Sequence, residues 1–331
     1  MACIVCFGEI LVRLSAPAGE LLLQSPELRV HIGGAEANVA ISLARFGHTA
    51  RMAGCVADNA LGDAALGELR RHGVDTSGVT RAAGRMGPYF LTPGAGQRPS
   101  DIIYDRAHSA FATAAMTEMN WRGMLDGAAW LHVSGVTPAL SASCAEAALN
   151  AMKLARAAGV KVSYDANFRA KLWEARAEDP RPTLDAMFAQ ADLIFAGARD
   201  VALVAGQHIA SIEQAAEIVF ARYANAERIA CTTRKLLSAD HHELSAVTIA
   251  RGGVARSPVR AVTGIVDRIG GGDAFAAGLL HGLTKGAGEQ DIIDFALAAA
   301  CLKHAIPGDA NLASEADVRF YLENASSDVR R

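Results

Sequence analysis

The chain has 331 residues, 51% of them hydrophobic and 20% charged, with 32 Lys and Arg against 35 Asp and Glu for a formal charge of −3. That length suits two ordinary domains or one large α/β unit with a sizeable core. The charge balance excludes the basic excess of a nucleic-acid binder, no apolar run approaches the ~20 residues of a membrane span, and the opening segment lacks a secretory signal's basic region and cleavage site. A cytoplasmic protein with neither nucleic-acid nor membrane partners is expected.

Short apolar runs alternate with amphipathic, alanine-rich runs, which predicts βα units around a mostly parallel sheet. The first strand is expected over residues 2–7. It carries Cys3 and Cys6 at CxxC spacing, but residues three apart on a strand face opposite sides, and no second Cys or His pair follows. Both read as small core residues rather than half of a metal or redox site. Residues 10–32 break the rhythm, with strand-like runs (Leu21-Leu22-Leu23, then 28–32) separated by Gly, Pro and Ser. Gly33-Gly34-Ala35-Glu36-Ala37-Asn38 then opens a helix over 35–46 that Gly47 stops. Paired glycines let a ligand approach the backbone closely, and Asn38 offers a donor and an acceptor to hydroxyls. A plain strand–helix corner is the competing reading. A strand over 50–56 and a helix over 60–72, stopped by Gly73, restore the pattern. Residues 86–106 interrupt it again, and with 10–32 they are expected to form a small β lid inserted into the core.

Further strands are expected over 129–134, 160–165, 193–196 and 228–232, and helices over 141–158, 212–223, 274–284, 289–303 and 315–324. Asp165-Ala166-Asn167-Phe168-Arg169 ends one of these strands, and such C-terminal ends are where α/β sheets bind ligands. Asp and Asn are equally ordinary in turns. The densest signal is Asp267-Arg268-Ile269-Gly270-Gly271-Gly272-Asp273, followed at once by a helical run. Consecutive glycines let backbone N–H groups converge, and the helix directs its positive end to the same point, an anion hole suited to a phosphoryl group in transfer. Asp273 beside it is suited to accept the proton of an attacking hydroxyl, with an ordinary helix cap as the alternative. Neither GxGxxG nor GxxxxGK[ST] occurs, which disfavours a nicotinamide-dependent dehydrogenase and a P-loop enzyme. No linker, repeat or low-complexity tract divides the chain, so 1–331 is expected to be one continuous domain.

The motifs in this order resemble those of the ribokinase-like (PfkB-type) carbohydrate kinases over nearly the whole chain: Gly33-Gly34-Ala35, Ala57-Asp58-Asn59-Ala60-Leu61-Gly62-Asp63, Asp165 to Arg169, and Gly270 to Asp273. The details are most similar to the 2-keto-3-deoxygluconate kinase subgroup, in Tyr104 to Ala110 (YxRxxSA), Asp267-Arg268-Ile269, Thr232 to Lys235, and Lys303 to Asp309.

The resemblance implies a three-layer α/β/α sandwich with a central mostly parallel sheet and a small β-sheet lid. It implies Asp273 as general base, with Gly270, Gly271 and Gly272 as anion hole, phosphorylating C6 of 2-keto-3-deoxygluconate. Gly33, Gly34, Asn38, Tyr89, Tyr104, Arg106, Arg169 and Asp309 would surround the sugar acid, whose carboxylate suits an arginine fork. Asn167, Arg169, Thr233, Arg234, Gly270 and Gly272 would bind ATP, so Arg169 has two candidate partners, the sugar carboxylate and the ATP phosphates. Mg²⁺ is expected to be held through water by Asp200, where many relatives have Asn-x-x-Glu and this chain has Gly197-Ala198-Arg199-Asp200. Parts of the family have a monovalent-cation site near the position of Asp267. Asp273 is expected to be ionised at pH 7 with an ordinary pKa, and the lids of two subunits are expected to pair in a homodimer. A kinase for fructose, ribose, a nucleoside or a related sugar acid, and a non-catalytic sugar sensor of the same fold, are the alternatives.

Overall fold

The structure, a computed structural model, describes residues 2–114, 116 and 119–324; residues 1, 115, 117, 118 and 325–331 of the expected 1–331 unit lie outside them. Its strands are β1 (Cys3–Phe7), β2 (Leu11–Ser15), β3 (Arg29–Gly33), β4 (Thr49–Ala57), β5 (Asp75–Ala82), β6 (Gly87–Thr92), β7 (Asp101–Tyr104), β8 (Ala128–Ser134), β9 (Lys161–Asp165), β10 (Leu193–Phe195), β11 (Arg228–Ser238), β12 (His241–Ala250), β13 (Gly253–Arg256) and β14 (Arg260–Thr263). The large sheet runs β13-β12-β11-β10-β9-β8-β1-β4-β5, with β14 beside β12. Neighbours from β11 through β5 pair in parallel. β1 is buried on both faces, as expected of a parallel strand covered by helices on both sides.

Local signals fix the covering helices. Asn59 caps Ala60–Arg71, Ser141 caps Ala142–Ala157 and Ser211 caps Ile212–Arg222, each through its side-chain oxygen. The helix Gly271–Lys285 lies so close to Glu289–Lys303 that a Cβ on Gly278 would stand 2.7 Å from Ala296 Cα. Small residues at that crossing give the dense alanine-rich packing of the core.

The structure adds β5 and the helices Ala170–Arg176, Arg181–Phe188 and Ala198–Ala205 to the expected elements, and departs from the expected pattern in two further places. The 228–232 strand extends to Ser238 and turns back through β12, so β11 to β14 form an antiparallel flank. Residues 233–237 of β11 are all exposed, and without a buried face they show no apolar alternation. Leu21 and Leu23 lie in turns, exposed, rather than in a strand.

The second sheet has order β3-β2-β6-β7 and is drawn from segments 10–32 and 86–106. Its central pair, β2 and β6, is parallel, and Leu11, Tyr89 and Leu91 form a small core of their own. Among the described residues, no helix is long and apolar enough to cross a membrane.

Candidate active site

The small sheet meets the large one where β1 ends and where the two glycine motifs open their helices. Gly34 has φ 132°, and a Cβ there would stand 2.2 Å from the Glu9 carbonyl oxygen, so only glycine permits this approach. A Cβ on Gly33 would fall 2.1 Å from Asp309 Oδ2. Gly270 caps Gly271–Lys285 in the left-handed region at φ 81°, and a Cβ there would stand 1.7 Å from the Asp309 carbonyl oxygen. Both glycine runs therefore press against the segment around Asp309.

Asp273 is the third residue of its helix, not the cap. Its Oδ2 accepts from Asn38 Nδ2 at 2.7 Å, which brings the two glycine motifs to one point. Asn38 Oδ1 is buried with no partner, an acceptor that a ligand hydroxyl would satisfy. Although Asp273 is partly open to the cleft, protein encloses its carboxyl, and this desolvation pushes its pKa up to about 8. Asn38 pulls it down, while Asp165, Asp309 and Glu36 add to the rise. The expected ordinary pKa is thus corrected upward, with burial as the main cause.

The arginines and acids of the site are largely paired with one another. Arg13 of β2 is buried and donates to Asp309 Oδ1 at 2.8 Å, to Asp267 Oδ2 at 2.6 Å and to Ser15 Oγ at 2.6 Å. Tyr89 donates its hydroxyl to the other Asp309 oxygen at 2.5 Å. Arg106 donates Nε (2.8 Å) and Nη2 (2.5 Å) to Glu9 Oε2, and Ser109 donates to Glu9 Oε1. The Tyr104 ring, nearly half exposed, lies 5.6 Å from the Tyr89 ring and 5.8 Å from the Arg106 guanidinium. Tyr89, Tyr104, Arg106 and Asp309 thus lie close together, with Gly33 against Asp309, while Asn38 meets Asp273. Glu36 Oε1 accepts from Ser134 N, Ser134 Oγ and Thr137 Oγ1, tying the helix Ala35–Arg45 to the end of β8.

At the end of β9, Asn167 adopts φ 34°, which Asn tolerates better than most residues. Its N–H donates to Asp165 Oδ1 at 3.1 Å. Burial pushes Asp165 up to about 7, opposed by Arg169 and reinforced by Asp200. Asp200 Oδ2 accepts from Gly197 N at 2.8 Å, closing the cap of Ala198–Ala205 and leaving its second oxygen for other partners. Two neighbouring carboxylates with raised pKa values fit a hard dication held through water, which would relieve their repulsion. Among the described residues, no group of three or more His, Cys, Asp or Glu side chains is arranged to hold a metal ion, so water and phosphate oxygens would complete any such shell.

Arg169 is exposed and, among the described residues, donates only to the neighbouring Phe168 carbonyl at 3.3 Å. Thr233 and Arg234 lie exposed on β11. Desolvation and then the nearby Arg268 lower the Arg234 pKa, so cationic groups from β11 and the glycine loop stand near each other. Sequence patterns give no role to Glu9, Arg13, Glu36 or Lys303, although Glu36 lies within the Gly33–Asn38 motif and Lys303 opens the Lys303–Asp309 stretch. The one clue was a charge between apolar neighbours, as at Arg13 in Leu11-Val12-Arg13-Leu14.

Comparison with known proteins adds to this geometry. Residues 1–315 match the pfkB family carbohydrate kinase description. The chain is 32% identical to a 2-dehydro-3-deoxygalactonokinase of Haloferax volcanii over 99% of both chains. It is 31% identical to a fructokinase-1 of Oryza sativa over 97% of this chain and 98% of that one. A solved structure of 2-dehydro-3-deoxygluconokinase from Thermotoga maritima superposes with a TM-score of 0.92 at 37% identity, covering 98% of this chain and all of that one.

Proposed function

The chain belongs to the pfkB family of carbohydrate kinases, and from that premise we propose that it transfers the γ-phosphoryl group of ATP to the C6 hydroxyl of 2-keto-3-deoxygluconate or its close epimer. The observation that carries the reading is Asp273, set one residue after the amides of Gly271 and Gly272 and bonded to Asn38. The Gly271 N–H makes only a long bond of 3.4 Å to the Arg268 carbonyl, and first-turn amides have no partner within the helix, which supports a phosphoryl group as their acceptor. The family names of two relatives, both kinases of 2-dehydro-3-deoxy sugar acids, support the acidic substrate.

In this mechanism Asp273 takes the proton of the C6 hydroxyl as its oxygen attacks phosphorus in line. The amides of Gly270 to Asp273 stabilise charge on the equatorial oxygens, the main demand of a loose phosphoryl transition state. Asp165 and Asp200 would hold Mg²⁺ through water, and that ion supplies neutralisation of the phosphate charge. Arg169, which forms no ion pair among the described residues, would meet phosphate or carboxylate, and Asn167, Thr233 and Arg234 would face the nucleotide. Gly33, Gly34, Asn38, Tyr89, Tyr104, Arg106 and Asp309 surround the sugar. The small sheet acts as a lid that excludes water, and Val30 and Ile103, exposed on its edge strands β3 and β7, support pairing of two lids in a homodimer.

The full-length match to a fructokinase supports a second reading, a neutral ketose as acceptor. The test is ADP release from Mg·ATP with 2-keto-3-deoxygluconate, its galactonate epimer, fructose, ribose and adenosine. ADP formed with the keto-deoxy acids at least about tenfold faster than with fructose is the expected result. Preference for fructose would discard the acid, and silence on every sugar would favour the sensor.

A further inference from the structure

Lys303 ends the helix Glu289–Lys303 and is wholly buried (0% exposed). Its ammonium donates to two main-chain carbonyls, Ile306 O at 2.9 Å and Asp267 O at 3.2 Å. One belongs to the segment that leads into the glycine run, the other to the turn that runs on to Asp309. A Cβ on Gly270 would touch the Asp309 carbonyl and stand 3.4 Å from Lys303 Cε, so ammonium, glycine run and turn are packed as one unit. Two inward-facing carbonyls repel each other unless a cation lies between them, and a buried ammonium is costly unless such oxygens surround it. Asp267, Asp309, Asp273 and Arg13 are the charged groups that act on it.

The surroundings of Asp267 do not fit a bound monovalent ion. Its carboxylate accepts from Arg13, from Gly308 N at 3.0 Å and from Ile269 N at 3.0 Å, and its carbonyl accepts from Lys303.

We propose that Lys303 is a positioning residue for phosphoryl transfer: its ammonium is an internal, covalently tethered cation that holds residues 267–270 against 306–309 and keeps the amides of Gly270 to Asp273 convergent, so this enzyme works without a monovalent metal ion. The inference rests on the kinase reading above. Displacing reacting groups by about 1 Å costs on the order of 10²-fold in rate, which sets the size of the effect.

The test starts with the wild-type enzyme. Replacing KCl by NaCl or tetramethylammonium chloride at constant ionic strength changes kcat by less than about twofold, and dependence on K⁺ of about fivefold or more overturns the proposal. Lys303→Met keeps the volume and removes the charge. It lowers kcat by about 10²-fold while the KM values for sugar and ATP stay within about threefold; unchanged kcat in that variant also overturns it. In Lys303→Ala, ammonium or K⁺ restores kcat at least about tenfold, and ammonium chloride raises the melting temperature where tetramethylammonium chloride does not. The absence of both rescues counts against a cation role. Should neither variant fold, the wild-type salt exchange decides. A wild type inactive on every sugar rejects the kinase reading instead, and the melting data on Lys303→Ala then judge the cation by itself.

Discussion

Asn38 and Asp273 stand 235 positions apart in the chain, yet Nδ2 of one donates to Oδ2 of the other at 2.7 Å. Each lies in the opening turns of a helix begun by glycines, so the bond measures how closely the two motifs converge. Among the described residues the oxygen of the same amide is buried without a partner, which on the proposed reading leaves an acceptor for a sugar hydroxyl beside Asp273. On that reading, Asn38 would both hold the base and read the hydroxyl that the base deprotonates.

Asp273→Asn separates catalysis from stability. Turnover falls by at least about 10²-fold with the fold intact, read by ADP release and circular dichroism. Stability moves the other way. The native carboxyl is raised to about 8 from about 3.9 when unfolded, so the native state holds more protons between those values and the wild type loses stability as pH rises through that window. Asn does not ionise, so the melting temperature of the variant relative to wild type is higher at pH 8.5 than at pH 5. A relative shift that does not change with pH contradicts this account.

On the proposed mechanism, the pH profile of kcat/KM is expected to be a narrow bell near pH 8. Its rising side is ionisation of Asp273, at about 8. Its falling side is loss of the proton from Lys303, whose pKa burial lowers to about 8, after which the two carbonyls lose their cation. Asn38→Ala removes the bond that favours the Asp273 carboxylate and moves the rising side to higher pH. Rate measurements from pH 6 to 10 on both proteins check this; a plateau from 6.5 to 9.5 is the contrary outcome.

How much of this was legible in the sequence depends on how local the cause was. The βα rhythm and helix caps such as Asn59 and Ser141 are set within a few residues, and they mark most of the large sheet. Gly33-Gly34 and Gly270 to Asp273 are likewise short motifs with a physical demand on the backbone. By contrast, Arg13 finds Asp309 at a separation of 296 residues, and nothing near Arg13 announces that partner. The antiparallel flank escaped because residues 233–237 are exposed on both faces, so no period of two marks them. The raised pKa of Asp273 comes first from burial and then from Asp165, Asp309 and Glu36, a property of the assembled chain.

Arg13→Met breaks the link between the small sheet and the glycine loop. Arg13, Asp267 and Asp309 all have side chains no more than 7% exposed, and removing the cation leaves two buried carboxylates short of a partner. Loss of about 3–5 kcal/mol in urea unfolding follows, with a smaller loss for Tyr89→Phe, which removes one hydrogen bond to Asp309. Equal stability of Arg13→Met and wild type would show the link to be dispensable.

Arg106 is better tested by Lys than by Ala. Ala strands the Glu9 carboxylate, whose side chain is 2% exposed, and confuses binding with folding. Lys keeps the charge and loses the planar guanidinium. Arg106→Lys is expected to raise KM for the keto-deoxy acid about tenfold or more, with KM for ATP within about twofold, in steady-state assays. An equal rise in both would place Arg106 outside the sugar wall.

Gly270 and Gly286 bracket the helix that carries Asp273, both in the left-handed region, at φ 81° and 66°. Alanine is disfavoured at each by roughly 1–2 kcal/mol on backbone grounds. Only at Gly270 does the new Cβ meet structure, 1.7 Å from the Asp309 carbonyl oxygen, whereas nothing lies within 4 Å at Gly286. The segment around Asp309 must then move away from the loop, carrying the partner of Arg13 and Tyr89 with it and turning the anion-hole amides. Gly270→Ala should therefore lower kcat by about 10²-fold or more and lower the melting temperature further than Gly286→Ala, which should keep kcat within about twofold of wild type. Comparable kcat in the two variants would mean that the close approach of Gly270 to Asp309 does not set the geometry of the anion hole.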